Sequence, residues 1–146
     1  MVIPRTLISL MFLLLLTLSC IAQQVEVRSV PIKHVSPGSG EKMYLAYCAA
    51  CHGSDGKGTG PAAPAMKVPP TDLTTLAKAN GGKYPAAHVF NAIYGDAALP
   101  QSHGSKDMPV WGNLFSTLSS GTPTARGEVQ VRINQISDHI KSLQAK

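Results

Sequence analysis

The sequence carries Cys48-Ala49-Ala50-Cys51-His52, a C-x-x-C-H run whose residue types and spacing suit covalent attachment of haem. Two thiols add across the two vinyl groups of one haem and leave thioether links. On a helix, positions three apart share a face, so both sulfurs meet one edge of the macrocycle. His52 follows directly and offers a ring nitrogen to the iron. Two other chemistries use similar runs. A thioredoxin-like dithiol needs a βαβ setting, and no strand pattern here provides one. A structural zinc site takes four ligands, often as two spaced pairs, and the chain has no second Cys pair.

The rest of the chain must bury such a group and hold its ligands. Its 146 residues allow one domain plus a targeting segment. Only 5% of residues are aromatic, a poor supply for a small core, and a buried macrocycle would add the missing apolar bulk. Lys and Arg number 13 against 8 acidic residues, for a formal charge of +5, and only Arg5 of these charges falls in the leader. That mild excess favours encounter with acidic partner surfaces and is too weak and unclustered for nucleic acid.

Residues 1–22 read as a secretory signal: Arg5 gives the positive start and Leu7 to Leu18 the apolar centre, short for a membrane span. Two cleavages fit. Small residues at Cys20 and Ala22 suit removal before Gln23. Alternatively, Leu16-Thr17-Leu18-Ser19-Cys20 resembles a lipoprotein box, in which 1–19 is the signal and Cys20 is lipidated; Thr17 departs from the usual Leu. Either way the product is exported, to the periplasm. Residues 23–39 contain Pro31, Pro37 and Gly38, show no sustained period, and read as an arm before a domain over 40–146.

Within the domain the spacing predicts helices and no strand pair. The first runs from Gly40 to Cys51, capped by Ser39 and stopped by Gly53, with Tyr44, Tyr47, Cys48 and Cys51 at helical intervals. The loop from Gly53 to Pro70 is rich in Gly and Pro. Lacking a P-loop Lys-Ser/Thr pair and a preceding strand, it suits close backbone approach to a haem edge better than a phosphate cradle. Asp72 caps a short helix through Leu73, Leu76 and Ala77, ended by Asn80-Gly81-Gly82. Another helix begins near Pro85 and closes at Gly95, with Val89, Phe90 and Ile93 as its apolar patch. Asp96 to Trp111 reads as irregular. The last helix, from about Thr124 to Leu143, carries Val129, Ile133, Ile136, Ile140 and Leu143 on one stripe. The fold class is all-α, several short helices around one cofactor.

Over about Gly40 to Leu143 the chain resembles the class I, monohaem cytochrome c family of the bacterial exported type. Gly40 and Tyr44 stand before Cys48 as that family's Gly and aromatic do, and His52 matches its proximal iron ligand. The resemblance gives Gly60-Pro61 the role of accepting the proximal His N–H on the Pro61 carbonyl. It makes Met108, in Met108-Pro109 after Ile93-x-Gly95, the distal iron ligand, and it places Trp111 against the haem. The family's last-helix aromatic falls on His139 here, a departure that bears on the helix crossing. Competitors for the sixth position remain: Met66, Met43, His88 and His103.

What the resemblance implies is a one-electron carrier, not an enzyme, with a single haem c on Cys48 and Cys51 and His/Met ligation. The soft thioether would favour ferrous iron and raise the potential. Its partners would be redox proteins, and a lipid on Cys20 would be its one tie to a membrane. Two rivals stand beside it: a subunit docked to a dehydrogenase or oxidase, and a haem enzyme or gas sensor with an open sixth site.

Overall fold

The computed structural model describes residues 34–95, 108–121 and 124–145, and among them every regular element is helical. In chain order these are α1 (Gly40–Tyr47), α2 (Ala49–His52), α3 (Leu76–Ala79), α4 (Ala86–Tyr94), α5 (Trp111–Leu118) and α6 (Ala125–Ser142). Single 3-10 turns precede α3 at Ala63–Ala65 and Leu73–Thr75. The all-α class stands. The leader over 1–22 with Cys20, residues 23–33 of the arm, and His103 lie outside the described residues.

The stripe of α6 is the surface on which α1, α4 and α5 assemble. Val129, Ile133, Ile136 and Ile140 are all buried, each worth about 1.5–3 kcal/mol against exposure. The closest crossing is with α1. A Cβ on Gly40 would strike the backbone carbonyl of Gln135, so only glycine lets the two helices meet there. One turn on, the fully buried Tyr44 packs its ring 5.0 Å from that of His139. His139 therefore stands in the place of the family's aromatic and makes a ring contact of its own.

Local signals set most boundaries. The Ser39 hydroxyl accepts the Lys42 N–H at 3.3 Å, and α4 ends at Gly95 in the left-handed region (φ 91°). Asp72 accepts from both the N–H and the hydroxyl of Thr74, at 2.9 and 2.6 Å, which starts the turn into α3. Two features differ from the sequence reading. The expected single helix from Gly40 to Cys51 is bent at Cys48 (φ −108°), where the Cys51 N–H turns to the Cys48 carbonyl at 3.2 Å instead of reaching back a full turn. And α5 forms where no element was expected.

Both ends of the domain are fastened. The Val35 N–H donates to the Tyr47 hydroxyl (3.1 Å), and its carbonyl accepts from Arg132 of α6 (2.6 Å). At the other end, the Gln144 side chain accepts from the Ala77 N–H (2.8 Å) and donates to the carbonyls of Leu73 (2.7 Å) and Ile140 (2.9 Å). The Ala145 N–H reaches the Thr74 carbonyl at 2.8 Å.

Candidate haem-binding site

The bend at Cys48 and the one-turn helix α2 carry the motif. Cys48 and Cys51 are half-buried and not disulfide-bonded. Burial pushes the Cys48 thiol up to about 12, and the neighbouring Cys51 adds to the effect, so the thiol is protonated at neutral pH. Behind them the Tyr44 hydroxyl donates to the Gly53 carbonyl at 2.8 Å and fixes the turn that follows His52. Burial is the main cause that raises Tyr44 to about 12, with smaller contributions from Cys48 and Asp55.

His52 has a defined tautomer. Its Nδ1 lies 3.0 Å from the Thr71 carbonyl, and a carbonyl only accepts, so Nδ1 carries the proton and Nε2 keeps its lone pair. Burial lowers the pKa of the ring, and the Thr71 bond opposes that in part. A neutral imidazole with Nε2 unprotonated is the form that binds iron.

The partner is Thr71 where the resemblance pointed to Pro61, and the loop shows why. Its N–H groups at Gly58, Gly60 and Ala62 donate to the carbonyls of His52 (2.8 Å), Cys51 (3.0 Å) and Ala50 (2.8 Å). The loop thus satisfies the orphan carbonyls at the end of α2 and leaves Pro61 exposed. A Cβ on Gly60 would strike the Ala49 and Ala50 carbonyls, and one on Gly58 the Pro70 carbonyl next to Thr71. These two glycines serve backbone against backbone.

Met108, the expected distal ligand, is half-buried and packs against the core. Trp111 opens α5 with its ring centre 5.6 Å from that of Tyr47 and 5.5 Å from that of Phe115, and Tyr47 and Phe115 are 5.4 Å apart. This three-ring cluster joins α5 to the residue just before Cys48. Of the competitors, Met43 is fully buried with its sulfur 3.8 Å from the Arg132 guanidinium. Met66 sits half-buried in the loop, and His88 is half-buried within α4.

Residues 36–121, more than half of the chain, match the family model described as cytochrome c oxidase, cbb3-type, subunit III. The chain belongs to this cytochrome c family. No curated protein and no solved structure matches it. Membership makes haem the cofactor and electron transfer the work of this cytochrome, with redox proteins as its partners. The donor set fits that group: two unpaired thiols three residues apart and a neutral His with its lone pair on Nε2.

The cytochrome also has a buried charge that the sequence reading passed over. Arg132 is fully buried in α6 and donates to Glu128 (2.7 Å) as well as to Val35. Its position among Val129, Ile133 and Ile136 was the available signal, overridden by the usual exposure of a charged residue. The Arg132 hydrogen bond is the main reason the Glu128 carboxyl lies below the usual range, and the Ser119 hydroxyl adds to it.

Proposed function

We propose that this cytochrome is a one-electron carrier of the periplasm, with one haem c held by thioethers to Cys48 and Cys51 and ligated by His52 and Met108. The observation that carries this reading is the chemistry of the bend and α2: two free thiols three residues apart beside an imidazole whose Nδ1 is already committed to Thr71. The bound group supplies a reversible ferric/ferrous couple. The chain supplies the rest. His52 presents Nε2 in one orientation, Tyr44 holds the turn behind it, and Met108 offers a soft sulfur that favours the reduced state. With His52 and Met108 both holding the haem, the chain would offer no site for a substrate, and the reading is of a carrier and not an enzyme. The mild positive charge suits partners with acidic docking surfaces.

A second reading is favoured by the family's own description, which names an oxidase subunit. In it the same chemistry serves a complex, with a lipid on Cys20 keeping the domain at the membrane. Mass spectrometry of the mature protein distinguishes the two by the lipid, and haem-stained denaturing gels test the attachment. Haem that leaves entirely in acid-acetone would overturn the thioether assignment. Prompt carbon monoxide binding by the ferrous protein would replace the carrier with an enzyme or sensor having an open sixth site.

A further inference from the structure

The first turn of α5 is seated on the last turn of α4 through two glycines that face each other's neighbours. A Cβ on Gly112 would lie 2.6 Å from the Tyr94 carbonyl oxygen and 2.9 Å from its ring. A Cβ on Gly95 would lie 2.5 Å from a methyl of Val110. The peptide that carries the Tyr94 carbonyl is held by the Gly95 N–H, which donates to the Asn91 carbonyl at 2.9 Å, and Gly112 is buried. The Tyr94 ring is itself stacked on Phe90, with centres 6.1 Å apart and planes within 10°. At this junction Gly112 meets the Tyr94 backbone and Gly95 meets the Val110 side chain, and Met108 stands only two residues before Val110.

We propose that Gly112 is a positioning residue for Met108: the missing side chain lets residues 110–112 seat on Tyr94 and Gly95, and that seating fixes where the sulfur is presented. The inference rests on the reading of Met108 as the distal ligand. An alanine at Gly112 must move the segment outward by about 0.5 Å, which is the tolerance within which a positioned ligand set works. The iron–sulfur bond is then broken in a larger share of molecules, and exogenous ligands gain access in proportion to that share.

The test uses the haem-loaded full chain. In Gly112→Ala, the weak red charge-transfer band of the ferric protein should diminish, and apparent cyanide affinity should rise about tenfold with the open fraction. Val110→Ala trims the same junction at an exposed position, where folding is not at stake, and should raise cyanide affinity by a smaller factor, about threefold. Gly127→Ala, where a Cβ meets nothing within 4 Å, should leave both readouts unchanged. Val129→Ala, a buried α6 residue, should lower the thermal midpoint without opening the iron. If Gly112→Ala and Val110→Ala lower the midpoint but match Val129→Ala in band and cyanide affinity, Gly112 is merely structural and the proposal falls. If Gly112→Ala does not load haem, Val110→Ala decides, and wild-type cyanide affinity in that variant overturns the proposal. If the wild-type band is absent and Met108→Ala changes nothing, the distal reading falls and takes the proposal with it.

Discussion

The two halves of the site are held by different means. On the His52 side, three alternate loop N–H groups bond to the carbonyls of the motif helix, and Thr71 fixes the ring itself. On the Met108 side, Val110 precedes α5 with no side-chain cap, and the segment is held by ring packing and by two glycine contacts. Main-chain hydrogen bonds define positions sharply and over short range, whereas packing defines them through many weak contacts. The difference teaches that His52 is held by hydrogen bonds from the loop that follows it, and that the segment of Met108 depends on the packing of helices. A disturbance of the junction between α4 and α5 should therefore reach Met108 before it reaches His52.

The largest expected effect is from Cys48→Ser with Cys51→Ser, which removes the cofactor from both halves at once. A domain this poor in aromatics should lose most of its helix signal in circular dichroism. Native helix content with a sharp thermal transition would show that the hydrogen-bonded half needs no haem. Next comes Met108→Ala, which should abolish the red band, lower the potential and admit carbon monoxide, while haem staining on denaturing gels persists. Met66→Ala should leave all of these alone. Should Met66→Ala open the iron instead, the contrast between the halves is drawn in the wrong place.

A smaller effect sharpens the contrast from the other side. Gly60→Ala forces a methyl into the Ala49 and Ala50 carbonyls and should cost about 1–3 kcal/mol in chemical denaturation. Because the strain falls on the proximal loop, cyanide affinity in this variant should rise less than in Met108→Ala. The smallest effect concerns neither ligand. Glu128 has its folded pKa below the ordinary value, so its stabilisation is complete above the unfolded pKa, about 4.3, and is lost as pH falls through the folded value. Glu128→Gln should remove that part of the acid limb of stability, measured as the thermal midpoint against pH. An unchanged acid limb would show that Arg132 needs no carboxylate.

Much of this was legible because it is local. The C-x-x-C-H run, the Ser39 cap, the Gly95 stop and the stripe of α6 each depend on residues within a few positions of one another. The parts that escaped are of two kinds. Helix α5 was written in Trp111, Leu114, Phe115 and Leu118, an i, i+3, i+4, i+7 pattern, but it is short and opens without a capping side chain. Thr71 and Arg132 depend on contacts across nineteen and ninety-seven residues, which spacing along the chain does not encode. Thr71 reaches His52 because Gly58 lets the loop close on Pro70. Arg132 is buried because the arm supplies it a carbonyl.

The seal at the C-terminal end bears on the order in which the protein comes into being. Gln144 and Ala145 close onto Leu73, Thr74 and Ala77, and Gly40 waits for Gln135. Those partners leave the ribosome after the segments they close on. Until they emerge α1 has no helix to cross, and the segment after Thr71 has nothing to close it. The two thiols thus emerge on a chain whose domain is still open, and residues 144 and 145 shut it only afterwards. A truncation ending before Gln144 should prolong that open interval, a matter of timing during biogenesis that equilibrium stability alone does not report.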